Sequence, residues 1–220
     1  FIYSLIVVSV SIALGLMLAC VLNKNIFGRS LLRTAFFYPV MVPMIAAGNI
    51  WLYIYTPTYG ILDRFLSIFG FQNVNVLGSK STVLLAVIVV AVWKETGYLM
   101  IFFLAGLQNM PKEVIEAAKI DGAENVTIFN KITLPLLKPT TIFVFTIALT
   151  DSFRTADHIM MMTQGGPDNA SNLLLYHIYE TAFHFWNQSM ASTLTAIMIV
   201  IMMAVTFIRF FTSDKKIYYS

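Results

Sequence analysis

Charge and cysteine are both scarce in this chain of 220 residues. Charged residues make up 11% of the sequence, whereas an average soluble domain has roughly 25%. So few charges cannot cover the surface of a soluble core. Disordered chains combine low hydrophobicity with high net charge, so this composition excludes one. The one cysteine, Cys20, cannot form a disulfide within the chain, which excludes a disulfide-stabilised scaffold.

Long apolar runs are what the chain has instead. Apolar residues make up 58% of the sequence, and the mean hydropathy is +0.77. A transmembrane helix needs about 20 apolar residues, whereas the strands of a membrane barrel are alternating segments of about 10. We therefore expect an all-α, polytopic membrane helix bundle. Its five spans are Phe1–Leu22, Thr34–Tyr55, Ser81–Leu107, Thr140–Met162 and Ala191–Phe211.

The first residue, Phe1, already lies in an apolar run. This run lacks the basic flank of a signal peptide, so we expect a true span. We also expect that a segment which precedes it is missing from this sequence. The whole of residues 1–220 is then a single transmembrane domain.

Basic residues are distributed unevenly between the two sides of the membrane. Ten of the 14 lysines and arginines fall on one side if the spans alternate. They are Lys24, Arg29, Arg33, Lys112, Lys119, Lys131, Lys138, Arg209, Lys215 and Lys216. The positive-inside rule makes this side cytoplasmic, so Gln108–Pro139 is expected to be a cytoplasmic loop and Thr163–Met190 an extracytoplasmic loop. Topology also accounts for the net charge of +3, and no nucleic-acid partner is needed.

The cytoplasmic loop has the pattern of two short helices and a turn. Pro111 suits the first position of a helix, and Glu113 near that end complements the helix dipole. Gly122 can adopt the left-handed conformation that ends a helix. We expect a second helix at about Ala123–Lys131 that stops before Pro135. A hairpin that only joins two spans would show the same periodicity, so that alternative stays open on pattern alone.

The loop also resembles the EAA loop of binding-protein-dependent ABC transporter permeases, and in particular that of the carbohydrate-uptake branch. The matching positions are Glu116, Ala117, Ala118, Asp121, Gly122, Ala123, Phe129, Ile132, Leu134, Pro135 and Pro139. The resemblance implies that Glu116 to Ala123, with Phe129 and Pro135, form a coupling helix that docks in a cleft of an ATPase subunit.

Other segments resemble the same family, in particular its maltose and glycerol-3-phosphate type of inner-membrane subunit. They are Tyr38-Pro39, Pro43, Trp51, Tyr59–Leu62, Trp93, Met162–Pro167 and Lys215–Tyr219. The resemblance implies an ABC importer permease fold with six spans in the parent protein. It also implies three kinds of protein partner, namely an ATPase dimer that binds ATP and Mg, a second homologous permease and an extracytoplasmic solute-binding protein.

Polar and aromatic residues within the apolar spans are candidates for a translocation path. They are Asn49, Trp51, Trp93, Lys94, Glu95, Tyr98, Asp151, Arg154 and Asp157. A charge at the bilayer centre costs about 2.5–3.5 kcal/mol on insertion scales, so such residues should face the bundle interior or a wet cavity. Asp151, Arg154 and Asp157 are spaced to share one broad helix face. A structural ion-pair network, for instance Lys94 with Asp151, is the alternative, and the aromatic residues could be interfacial anchors.

No enzyme active site is expected in this chain. The segment Gly78–Thr82 lacks the spacing of a phosphate-binding loop, and the three histidines show no metal-ligand spacing. We therefore expect no cofactor or metal in the chain itself. The leading hypothesis is a permease subunit of an ATP-driven importer for a sugar or glycerol-3-phosphate-type solute in a bacterial inner membrane. An ion-coupled secondary transporter and an assembly protein without a transport path are the alternatives.

Overall fold

All regular secondary structure in the described part of the chain is helical, which confirms the predicted all-α class. The computed structural model describes residues 1–71 and 73–214, with side chains as far as residue 207. The predicted Lys215–Tyr219 tail motif lies outside the described residues. The helices are α1 Ile2–Asn23, α2 Arg29–Met41, α3 Met44–Tyr55, α4 Ile61–Ser67, α5 Val83–Gln108, α6 Lys112–Ile120, α7 Asn125–Ile128, α8 Leu134–Leu136, α9 Lys138–Arg154, α10 Asp157–Met162, α11 Leu174–Tyr179 and α12 Gln188–Asp214.

The described residues form three to five candidate membrane spans, and the upper number, in which each bent helix pair counts as one span, equals the five expected from the sequence. Three helices, α1, α5 and α12, are each long and apolar enough to cross a membrane, and two bent helix pairs bring the number to five. One pair is α2 with α3, and the other joins the helical segment Asn125–Leu136 to Lys138–Met162. The predicted class of polytopic helix bundle is therefore confirmed, whereas two of its spans have a shape that the sequence pattern did not indicate.

Helices α1 and α5 form the central pair of the bundle. Leu22 of α1 and Leu99 and Phe103 of α5 belong to one buried core cluster. The backbones approach closely at Gly15, where an added Cβ would lie 3.2 Å from the Met100 nitrogen. Small residues allow such close helix contacts in membranes, where packing rather than water exclusion drives association. This pair is the scaffold against which the broken spans are placed.

The second span, expected over Thr34–Tyr55, is broken into two helices. Helix α2 ends at Met41, α3 starts at Met44, and the two are bent by 102°. Pro43 has no N–H group to donate to the preceding turn, and a residue before proline disfavours helical geometry. Val42 is accordingly extended, with φ −77° and ψ 126°. The span expected over this segment therefore consists of two helices that meet at a sharp bend.

The fourth span is also broken, between α9 and α10. Thr155 is extended, with φ −97° and ψ 112°, and no proline accounts for the break. The Thr155 hydroxyl donates to the carbonyl of Asp151 at 2.7 Å. Thr146 and Thr150 form the same kind of bond within the unbroken part of α9, so this bond does not by itself account for the break. Asp151, Arg154 and Asp157 do not share one helix face as predicted, because Asp157 lies in the next helix.

The second half of the hairpin continues past the point where it was expected to stop. A helix that ended before Pro135 was predicted, but helical turns run on through a π-helical segment, Phe129–Thr133, into α8. The Leu134 N–H bonds to the Phe129 carbonyl five residues back. Pro135 lies in the first turn of α8, where the missing N–H group is tolerated. The π-helical turn thus carries the chain past the proline.

The loop between α3 and α5 is closed by one buried carboxylate. Asp63 of α4 accepts hydrogen bonds from the Thr58 N–H at 3.1 Å and the Val74 N–H at 2.9 Å. These two bonds join the start and end of the loop to α4. The Asp63 side chain is 7% exposed, so neither N–H group could readily bond to water instead.

We expect Asp63→Ala to loosen this loop without preventing assembly of the bundle. Each hydrogen bond to a charged group contributes about 1.5–3 kcal/mol, and both are lost together. Limited proteolysis between residues 56 and 80 should become several-fold faster than in the unchanged protein. Arg64→Ala, an exposed neighbour, is the matched control and should behave as wild type. Equal cleavage rates in Asp63→Ala and wild type would contradict this role.

Candidate functional site

Helix α6 is a short helix that buries none of its residues. Glu116 and Ala117 are exposed, and Ile120 is 87% exposed. An apolar side chain held in the open on a regular helix indicates a contact surface, because the bundle itself gains little from it. The helix therefore presents a mixed acidic and apolar face outward.

The turn after α6 has a well-defined geometry, as the sequence predicted. Gly122 has φ +80°, the Gly122 N–H bonds to the Lys119 carbonyl at 3.1 Å, and the Ala123 N–H bonds to the Ala118 carbonyl at 2.9 Å. This pair of bonds is a Schellman motif, which favours glycine at its left-handed position. A Cβ on Gly122 would have no atom within 4 Å. The turn is therefore both rigid and open to a partner.

The eight predicted coupling residues divide into two groups by exposure. Glu116, Ala117, Asp121, Gly122 and Pro135 are exposed, whereas Ala118, Ala123 and Phe129 are partly buried. Phe129 lines a cleft of about 570 Å³ together with Cys20 and Lys24 near the end of α1, Leu107 of α5 and Lys119 of α6. The hairpin therefore lies at the end of the bundle where α1 and α5 finish, with one face toward the bundle and one face outward.

A second cavity, of about 140 Å³, lies where the two broken spans meet the scaffold. Its lining includes Lys94 and Glu95 of α5, Arg154 at the end of α9 and Asp157 at the start of α10. These are four of the nine residues proposed for the path. Broken backbone at membrane depth is tolerated where it lies within protein or lines a wet cavity.

The predicted ion pair between Lys94 and Asp151 is absent. Within residues 1–71 and 73–207, the only contact within 4 Å between a basic and an acidic side chain is that of His177 with Glu180 at 3.8 Å, which is an ion pair when the histidine is protonated. The Lys94 ammonium donates instead to the carbonyls of Pro39, Val40 and Val42. Asp151 does not line the cavity. The reason is the break after α2, which places three carbonyl groups, of which only that of Pro39 also accepts a backbone N–H, closer to Lys94 than any carboxylate.

The remaining path candidates lie outside this cavity. The Trp51 and Trp93 rings are 5.6 Å apart at 70°, so they pack edge to face between α3 and α5. Tyr98 packs edge-on against Phe102 at 5.1 Å. Asn49 is exposed, and its amide donates to the Ile45 carbonyl of its own helix at 3.3 Å. The structure brings four of the five charged candidates together in this cavity, but not Asp151 and not the aromatic and amide candidates.

The structure adds two residues that sequence reasoning missed. Tyr3 lines the cavity, and its hydroxyl is hydrogen bonded to His158 Nε2 at 3.3 Å. Both side chains are buried, and 155 positions separate them in the chain. No local pattern could have paired them. Among the described residues, no three His, Cys, Asp or Glu side chains are grouped closely enough to hold a metal ion.

Helices that are broken around a polar cavity within the membrane are typical of helical membrane transport proteins, and this chain has that arrangement. The comparison with known families makes this specific. Residues 11–215 match the family described as "Binding-protein-dependent transport system inner membrane component". The chain belongs to this family, which confirms the resemblance inferred from the EAA-like loop. Proteins of the family are membrane components of transport systems rather than enzymes.

Individual relatives are similar over most of the chain. The trehalose/maltose transport system permease protein MalF of Thermococcus litoralis is 38% identical over 180 residues, which are 80% of this chain and 61% of that protein. The sn-glycerol-3-phosphate transport system permease protein UgpA of Agrobacterium fabrum is 34% identical over 99% of this chain and 74% of its own length. This chain therefore spans between three fifths and three quarters of these relatives.

A solved structure shares the fold. The bacterial ABC transporter involved in the import of the acidic polysaccharide alginate contains a chain that superposes with a TM-score of 0.87. The alignment covers 98% of this chain and 78% of that chain at 19% sequence identity. At this identity the match concerns the fold, and it confirms the expected ABC importer permease architecture.

Proposed function

We propose that this chain is a permease subunit of an ATP-driven importer for a carbohydrate or glycerol-3-phosphate-type solute, in a bacterial cytoplasmic membrane. Its partners would be a second homologous permease, an ATPase dimer and an extracytoplasmic solute-binding protein. ATP and Mg would be bound by the ATPase subunits alone. The names of the MalF and UgpA relatives support this solute class.

The observation that carries the proposal is the exposed hairpin of α6 and α7. A loop that only joined α5 to α9 would gain from burying its apolar side chains, but Ile120 and Val126 are 87% and 68% exposed. The hairpin would instead insert Glu116, Ala117 and the Gly122 turn into a cleft of the ATPase. Small residues at Ala117 and Gly122 would permit close approach, and Glu116 would supply an anionic contact.

The cavity between the broken spans supports a path that this chain shares with its partner. Its volume of about 140 Å³ is below the roughly 300–1,000 Å³ of ordinary ligand pockets. A sugar could not be enclosed there, so a second permease would have to complete the pocket. Glu95, Arg154 and Asp157 would supply charged and hydrogen-bonding groups to a polar solute at this interface.

The ion-coupled alternative makes a different prediction about energy supply. A secondary transporter couples the movement of its solute to an ion that moves down its own gradient, and it requires no nucleotide. Membership in a family of binding-protein-dependent transport components favours the ATP-driven mechanism. The alternative is therefore kept only as an outcome of the experiment below.

Reconstitution of the purified complex in proteoliposomes tests the proposal. We expect uptake to require ATP inside, binding protein outside and a ligand that the binding protein retains in a screen of disaccharides, polyols and glycerol phosphates. Ionophores that collapse proton and sodium gradients should leave the initial rate unchanged. Uptake that needs an ion gradient and proceeds without ATP would refute the proposal. A binding protein that retains only a solute of another class would refute the carbohydrate assignment alone.

A further inference from the structure

The break in the second span leaves backbone carbonyls in need of partners. The last four carbonyl groups of any helix have no N–H partner within that helix. Here the chain turns by 102° after α2, and Pro43 contributes no N–H group. Lipid offers no water to satisfy such groups, so each one left unbonded at membrane depth is unfavourable. A polar group from elsewhere in the bundle is needed at this point.

Lys94 of α5 provides hydrogen-bond donors to these carbonyl groups, and all three of its N–H groups are used. Its ammonium nitrogen lies 3.2 Å from the Pro39 carbonyl oxygen and 3.3 Å from that of Val40, and it also contacts the Val42 carbonyl. An ammonium group carries three N–H donors, and three carbonyls accept them. A positive charge at the carbonyl end of a helix is favourable, because the helix dipole is negative there.

The neighbouring turn of α5 is shaped for the same contact. A Cβ on Gly97 would lie 2.1 Å from the Phe36 carbonyl oxygen, so only glycine lets α2 pack directly on α5 here. Lys94 and Gly97 are three positions apart and hence lie on one face of α5. One face of α5 therefore both receives the backbone of α2 and binds its final carbonyls.

The partners of Lys94 distinguish this role from charge neutralisation. Its hydrogen bonds all go to neutral carbonyls, and it forms no ion pair with a carboxylate among the described residues. The neighbouring Glu95 has one carboxylate oxygen, Oε2, that is buried without a hydrogen-bond partner. The lysine charge is thus directed at the broken helix rather than at the nearest acid.

We infer that Lys94 is a positioning residue that holds the second span in its broken form, with its ammonium bound to the carbonyl end of α2. The structural part of this inference is independent of the proposed function, and only the expected effect of Lys94 on transport rests on it. Lys94 sets the direction in which α3 leaves the break, and with it the position of Trp51 against Trp93. Lys94 would then shape the path without binding the solute.

Distance measurements between spin labels test this inference in the full transporter in lipid nanodiscs. Cys20 is the only cysteine of these 220 residues, so Cys20→Ser, together with replacement of any cysteines elsewhere in the complex, gives a background in which labels can be placed at Ile50 on α3 and Ala105 on α5, both exposed. We expect one narrow distance distribution in this background and a broad one after Lys94→Met. Lys94→Arg keeps the charge and the donors and should restore the narrow distribution. Lys80→Met, at an exposed lysine before α5, should leave it unchanged.

Transport supplies the second readout. Lys94→Met should lower the maximal uptake rate at least about tenfold, since two or more charge-assisted hydrogen bonds are lost, and Lys94→Arg should recover most of it. A narrow distribution in Lys94→Met would overturn the inference, and lost uptake with that narrow distribution would assign Lys94 to solute contact. If Lys94→Met is absent from the membrane, Lys94→Gln is measured in its place. A narrow distance distribution in Lys94→Gln would then overturn the inference, and a broad distance distribution would support it. The distances do not depend on the energy source, so failure of the proposed function would be seen separately.

Discussion

Gly122→Arg is expected to abolish transport while the protein remains in the membrane at its normal level. The glycine has φ +80°, where a side chain is strained, and arginine would also project into the open space that faces the partner. The exposed turn would then be too large for the ATPase cleft in which we propose that it docks. Uptake into proteoliposomes and ATP hydrolysis stimulated by the binding protein should both fall to background, since the effect acts on coupling rather than on the bundle.

Three further variants separate coupling from folding. Glu116→Lys reverses the exposed anionic group and should have the same effect as Gly122→Arg. Gly122→Asn should keep most activity, because asparagine tolerates the left-handed conformation. Gly28→Arg is the matched control, since Gly28 also has a positive φ and open space around it but lies outside the hairpin. Loss of Gly122→Arg from the membrane would indicate a folding role, and normal uptake in both Gly122→Arg and Glu116→Lys would disprove docking through α6.

Gly97→Ala is expected to destabilise the bundle strongly, although it adds only one methyl group. That methyl would lie 2.1 Å from the Phe36 carbonyl oxygen, and a backbone atom cannot move aside as a flexible side chain can. Overpacking commonly destabilises a core by about 1–3 kcal/mol, and contact with backbone belongs at the upper end of that range or above it. The apparent melting temperature in detergent should fall by several degrees, with less protein in the membrane.

Gly48→Ala is the matched control for this prediction. Gly48 is also a buried glycine within a span, but its added Cβ would be 3.4 Å from the Met161 Cβ, which is an ordinary contact. The same substitution should therefore be nearly neutral at Gly48 and severe at Gly97. Equal melting temperatures for the two variants would show that α2 can move away from α5 at little cost.

Parts of the site could be predicted because their signals are local in sequence. The end of α6 follows from Gly122 and its neighbours, since helix termination depends on a few consecutive residues. The π-helical turn before Pro135 was missed because its hydrogen bond departs from the regular helical pattern, and the break at Thr155 was missed because no proline or glycine marks it. The partners of Lys94 were missed for a different reason. They lie more than 50 positions away, so only the folded chain brings them to it.

The sequence by itself determined the class of this protein, the presence of several apolar spans and the segment that resembles a coupling loop. These follow from composition and from short runs of residues, because a long apolar run has few alternatives to a helix across a bilayer. Only the tertiary structure decided where the scarce charges point. Lys94 binds the end of a broken helix, while Glu95, Arg154 and Asp157 line one cavity, because two broken spans meet the α1–α5 pair at the same depth. Such contacts between distant segments leave no local trace in a sequence.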